Sequence, residues 1–158
     1  MERINKIINS QEYIDWLSKI NQSEKNRIFC GHSFSHLLDV ARIMYLETLT
    51  KGYDYSQELV YSAALLHDIG RSIQYSSGAD HAREGAVIAK KLLEDAGFSP
   101  HEVGEITLAI ANHNAKDTSH TLSQLLQFAD KKSRNCFLCN AQAQCNWKPQ
   151  DKNMEVSL

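Results

Sequence analysis

Leu59-Val60-Tyr61-Ser62-Ala63-Ala64-Leu65-Leu66-His67-Asp68-Ile69-Gly70 decides the fold of this 158-residue chain. Leu59, Ala63 and Leu66 recur three and four apart, which predicts an amphipathic helix starting at the N-cap candidate Ser56 and stopped by Gly70. One more step of four beyond Ala63 lands on His67, with Asp68 beside it. The stripe that faces the core therefore ends in an imidazole next to a carboxylate. Left unpaired there, either group costs several kcal/mol, so both must meet a partner.

The same pattern recurs on both sides. A helix over residues 33–50 carries Leu37, Val40, Ile43 and Met44, and His36 leads that stripe. The next, from His81 to Asp95, carries Gly85, Ile88 and Leu92 behind His81 and stops at Gly97. Ser99-Pro100-His101-Glu102 opens a fifth helix with a capping box and a proline at its first position. Its stripe of Val103, Ile106 and Ile110 runs on to His113, and a helix over 121–133 carries Leu122, Leu125, Leu126 and Ala129 with Asp130 on the same face. A first helix over 10–20 presents Tyr13, Ile14, Leu17 and Ile20.

With only 7 Gly and 2 Pro, the chain lacks the turn formers of a sandwich or barrel. The expected fold is all-α: a bundle of about six helices over residues 1–134, followed by an irregular, cysteine-containing tail over 135–158. Lys and Arg number 17 against 19 Asp and Glu, which disfavours a strongly basic groove, so a nucleic-acid duplex is not an expected partner. No apolar run reaches the roughly 18–20 residues that cross a bilayer. Met1-Glu2-Arg3-Ile4-Asn5-Lys6 opens no export signal, so a cytoplasmic location with reduced cysteines is the expectation.

Four histidines and two aspartates thus point inward: His36, His67, Asp68, His81, His113 and Asp130. A divalent metal satisfies such a set best. The set in His36-Leu37-Leu38-Asp39-Val40-Ala41, Leu66-His67-Asp68-Ile69-Gly70 and Phe128-Ala129-Asp130-Lys131 resembles the H…HD…D pattern of the HD-domain metal-dependent phosphohydrolases, over about residues 28–134. The added His81 and His113 resemble the two-metal subset of that superfamily, such as the bacterial diadenosine tetraphosphate hydrolases. By that resemblance His36, His67, Asp68 and Asp130 hold a first metal, and Asp68 bridges to a second held by His81 and His113. Asn114 stands where some two-metal relatives carry another histidine.

Mixed imidazole and carboxylate ligation suits one or two Fe, Mn, Zn, Ni or Co ions. Paired divalent ions clamp the attacking and leaving oxygens of a phosphoryl transfer and make hydroxide available near neutral pH. The expected activity is hydrolysis of a phosphate ester or anhydride of a small molecule, with nucleotides among the candidates. Asp68 is the residue expected to position the water. Arg71 and Lys131, and less so Arg134, are placed to meet phosphate oxygens, although basic side chains at helix ends also serve the helix dipole. His32, His101 and His120 fall outside the ligand set: Ser33 can cap the helix and leave His32 beyond it.

Two other readings stay open. Some members of the superfamily use the same six ligands for di-iron oxygenation, and a non-catalytic nucleotide-binding module could keep the fold. Separately, Cys136-x2-Cys139-x5-Cys145 in the tail and Cys30 before the His36 helix match a structural zinc or an iron–sulfur cluster. They equally suit reduced cysteines packed as small hydrophobes.

Overall fold

The structure is a computed structural model that describes residues 1–156. Among these, eight α-helices follow one another without a strand: α1 Glu2–Ile8, α2 Gln11–Ser23, α3 Phe34–Lys51, α4 Gln57–Leu66, α5 Arg71–Ser77, α6 His81–Ala96, α7 Pro100–Ala111 and α8 Thr121–Lys132. The tail beyond Arg134 holds three single 3-10 turns, Cys136–Leu138, Gln142–Gln144 and Pro149–Asp151. The all-α expectation holds, and the two terminal residues of the expected tail lie outside the described part.

The helices missing from the sequence reading are α1 and α5, each 7 residues long. Neither could stand alone at that length, and both form because they dock. Arg3 of α1 donates from its Nε to Glu58 at 2.6 Å and from an Nη to Glu102 at 2.9 Å, with its guanidinium 3.9 Å above the Phe98 ring. α5 packs on α2 and α6.

α4 is the central helix. It contacts α1, α3, α6, α7 and α8, and Val60, Ser62, Ala63, Ala64, Leu65 and Leu66 are all buried. A helix apolar on nearly every side must be surrounded. The core around it comprises Val40 and Met44 of α3, Leu93 of α6, Ile106 and Ile110 of α7, and Leu122 and Leu126 of α8. Tyr13 of α2 donates its hydroxyl to the Leu65 carbonyl at 3.1 Å, which satisfies a buried phenol.

Gly70 does not end α4 as expected. The helix stops at Leu66, residues 67–70 form a turn, and Gly70 has an ordinary φ of −72° at the start of α5. Its role is proximity. A Cβ built there would lie 2.2 Å from the His81 carbonyl oxygen and 2.5 Å from the Gly85 nitrogen. Only glycine lets the turn after α4 rest against the first turn of α6, and that contact sets His67 and Asp68 beside His81. The capping box at Ser99 and Glu102 forms as expected.

No helix among the described residues is long and apolar enough to cross a membrane.

Candidate metal centre

The six residues singled out by their stripes meet at one place. Their donor atoms fall into two groups that share Asp68: His36, His67, Asp68 and Asp130, and Asp68, His81 and His113. The Asp68 carboxylate divides its two oxygens between them. Oδ2 lies 3.0 Å from His67 Nε2 and 3.9 Å from His36 Nε2. Oδ1 lies 3.6 Å from His81 Nε2 and 3.8 Å from His113 Nε2. Asp130 Oδ1 completes the first group at 3.2 Å from His36 Nε2 and 3.9 Å from His67 Nε2.

Hydrogen bonds at the far side of the rings orient them. His67 Nδ1 donates to the Ala64 carbonyl and His113 Nδ1 to the Ile110 carbonyl, both at 2.7 Å. A carbonyl only accepts, so in each neutral ring the proton sits on Nδ1 and the Nε2 lone pair faces the centre. Ser133 works differently. Its hydroxyl donates to the Asp130 carbonyl at 2.7 Å, and its oxygen accepts from His36 Nδ1 at 3.1 Å. His36 Nε2 accepts in turn from an Arg134 Nη at 2.9 Å. Such outer partners are how proteins set the tautomer of a ligating histidine.

Charge and burial act together here. Burial opposes ionisation of Asp68, yet His67, His32 and Arg71 hold its pKa well below the ordinary value. Asp130 is likewise held low, against burial, by its closeness to His36 and by His67 and Arg134. Burial lowers His36 and His113, and it lowers His81, with help from Arg71, to about 4. His67 goes the other way: burial pulls it down, but Asp68 more than offsets this and raises it. Two ionised carboxylates thus favour positive charge nearby, here the guanidinium groups of Arg71 and Arg134.

The donor set fits a metal. Two donors about 2.1 Å from one ion stand about 3–4 Å apart, and the distances within each group match that spacing. His67 Nε2 and Asp68 Oδ2 are buried with no hydrogen-bond partner, although they lie 3.0 Å apart. His81 Nε2 and His113 Nε2 face each other at 3.2 Å. Orphaned nitrogen and oxygen donors converging in a buried space are what an ion requires.

Among the candidate cations, Arg71 donates from its Nε to Asp68 Oδ1 at 2.8 Å and lines a cavity of about 420 Å³ beside the centre, which Asp130 also lines. Lys131 is exposed in the last turn of α8 and does not line that cavity. Arg134 is the more buried cation, bridging His36, Asp130 at 2.9 Å and the Gly31 carbonyl at 2.9 Å.

His32 departs from the sequence reading. Ser33 stands at the N-cap of α3 but makes no side-chain cap, and His32, only 3% exposed, lies inside the site. Its Nδ1 bonds the Glu24 carboxylate and its Nε2 lies 3.7 Å from Asp68 Oδ2. Burial opposes ionisation of Glu24, but hydrogen bonds from His32 and the Tyr75 hydroxyl hold its pKa at about 2. The available signal was its spacing of four from His36. His101 is exposed, and His120 bonds Ser123 at 2.8 Å, far from the centre in role.

Comparison with known proteins agrees with this geometry. The family model described as HD domain matches residues 33–135, the segment from the N-cap of α3 to just past Asp130. The chain is 38% identical to an uncharacterized protein of Clostridium beijerinckii over 99% of both chains. It is 34% identical to ribonuclease Y of Acetivibrio thermocellus over 61% of this chain, which spans only 17% of that larger protein. A crystal structure of a predicted HD superfamily hydrolase from an uncultured Thermotogales bacterium superposes with a TM-score of 0.63 at 25% identity, covering 89% of this chain and 81% of the other. A match over most of the bundle, with the paired His67 and Asp68 at its centre, has one conclusion: the chain belongs to the HD domain family.

Proposed function

We propose that this protein is a metal-dependent phosphohydrolase acting on a phosphate ester or anhydride of a small molecule, with nucleotides the first class to test. The observation that carries the reading is the division of Asp68, whose two oxygens face two separate sets of imidazoles. In this reading His36, His67, Asp68 and Asp130 hold one divalent transition ion, and Asp68, His81 and His113 hold a second. Ions bound in such a set supply a hydroxide nucleophile from water near neutral pH and neutralise phosphoryl charge. The names of the relatives support the chemistry: one is a ribonuclease and another a predicted hydrolase.

The chain's own part is positioning. Asp68 aims the two groups at a common point. Arg71 reaches from Asp68 into the cavity and offers its guanidinium to a phosphate, with an Nη held by Gln74 at 3.0 Å. His36 and Asp130 would hold an ion through the atoms that Arg134 contacts, and Arg134, lining the same cavity, would be the second cation beside a bound phosphate. Lys131, exposed as it is, serves only a substrate that extends past the end of α8.

Metal analysis of the purified protein beside a hydrolysis screen over nucleotides and general phosphate esters tests this. Release of phosphate or pyrophosphate with Mn, Co or Ni added is the expected result. Redox-active iron with O₂ consumption and no hydrolysis would assign the centre to oxygenation instead.

A further inference from the structure

The activity proposed above uses none of the four cysteines, yet the fold brings all four to one cavity. Cys30 reaches it from the segment before α3, and Cys136, Cys139 and Cys145 from the tail, and His32, Arg71, Asp130 and Arg134 line the same cavity. All four are free of disulfides. Two local devices aim them. Cys136 and Cys139 stand three apart across a single 3-10 turn, with Cys139 N–H donating to the Cys136 carbonyl at 3.1 Å, and such a turn places residues i and i+3 on one side. Arg134 ties the Cys30 segment to the tail through the Gly31 carbonyl.

The tail is ordered without a core of its own. Between residues 135 and 156 the buried apolar side chains are only Cys136 and Ala141. What closes it on itself is polar: Phe137 N–H to the Asn153 carbonyl at 3.1 Å and Lys152 Nζ to the Gln142 carbonyl at 2.9 Å. A segment with so little apolar burial gains its order elsewhere, and metal binding is one such source because binding energy becomes folding energy.

The four thiols share a cavity without crowding to one point. One tetrahedral zinc with bonds of about 2.3 Å needs its sulfurs about 3.8 Å apart. Among the described residues, three or more donors within 4.8 Å of one another occur only in the histidine and aspartate centre, not among the thiols. A four-iron cube gives each thiolate an iron of its own, so it needs four sulfurs around one space rather than at one point. With four thiolates it carries net negative charge, and Arg27, Arg71, Arg134 and Lys152 line the same cavity. Three close cysteines plus a remote one is a recurrent way to ligate iron–sulfur clusters. We propose that Cys30, Cys136, Cys139 and Cys145 hold a four-iron, four-sulfide cluster that orders the tail and walls the cavity beside the histidine and aspartate centre.

The test is anaerobic purification, or reconstitution with ferrous iron and sulfide, followed by assay of iron and acid-labile sulfide. About four sulfides per chain are expected, with a broad visible absorption that Cys139→Ser abolishes while the histidine and aspartate centre keeps its metal. Sulfide is the deciding readout, since imidazole and carboxylate ligands bind none, and it is independent of any hydrolysis. Cysteine-dependent zinc without sulfide overturns the proposal, as does reconstituted protein whose four thiols all react freely with a thiol reagent. Should Cys139→Ser fail to fold, Cys30→Ser, at an exposed position outside the tail, gives the same comparison: loss of sulfide supports the cluster and full retention sinks it.

Discussion

At the scale of single residues, Asp68 and His113 separate the two halves of the centre. Asp68 is the only member of both donor groups, so Asp68→Asn removes an anionic ligand from each. His113 belongs to one group alone and sits just past the end of α7. Asp68→Asn is therefore expected to lose most bound metal and nearly all hydrolysis, whereas His113→Ala lowers stoichiometry from about two ions toward one and slows turnover by orders of magnitude. Metal content and phosphate release on the two folded variants check this. One ion bound before and after His113→Ala, with activity intact, would reduce the centre to a single metal.

Between elements, the contact between the turn after α4 and the start of α6 decides whether the two halves share a carboxylate at all. Gly70 allows it because nothing larger fits against the His81 carbonyl and the Gly85 nitrogen, and both obstacles are backbone. Gly70→Ala is expected to cost on the order of 1–3 kcal/mol through overpacking and to weaken binding in the His81 and His113 group first. Ser99→Ala makes a useful contrast, since losing the cap of α7 costs about 1 kcal/mol at a site remote from Asp68. Denaturation midpoints and metal content, measured together, distinguish them. Equal metal content in both variants at equal stability loss would show that the Gly70 contact does not position the centre.

For the molecule as a whole, a cluster of buried neutral imidazoles makes metal-free stability depend on pH. His81 titrates near 6.5 in an unfolded chain but at about 4 in the fold. Between those values the unfolded state binds more protons, so stability rises with pH through this window and is lost as the solution is acidified. The full shift corresponds to about 3 kcal/mol. His36 and His113 shift in the same direction, whereas His67, raised by Asp68, contributes stability that is present at low pH and lost as pH rises. The decline on acidification is assigned to His81, His36 and His113. Chelator-treated protein is expected to unfold at lower denaturant as pH drops from 7 to 4.5, and His81→Asn to show a shallower decline. Identical slopes in the two proteins would rule out His81 as a source.

The sequence by itself determined the helical class and the identity of the inward polar set. Both are written in periodicity: a step of three or four along each stripe places His36, His67, His81, His113 and Asp130 on core-facing sides whatever the neighbours are. The short helices α1 and α5 escaped that logic, because at 7 residues each their order comes from docking against other helices. So did His32, whose place depends on Glu24 and Tyr75 reaching it from other segments. Only the tertiary structure decided that the two oxygens of Asp68 face different histidines, that Arg134 rather than Lys131 reaches into the centre, and that Cys30 meets the tail. Those are relations between side chains far apart in the chain, and their distances are set by how helices pack, which the period of any one helix does not contain.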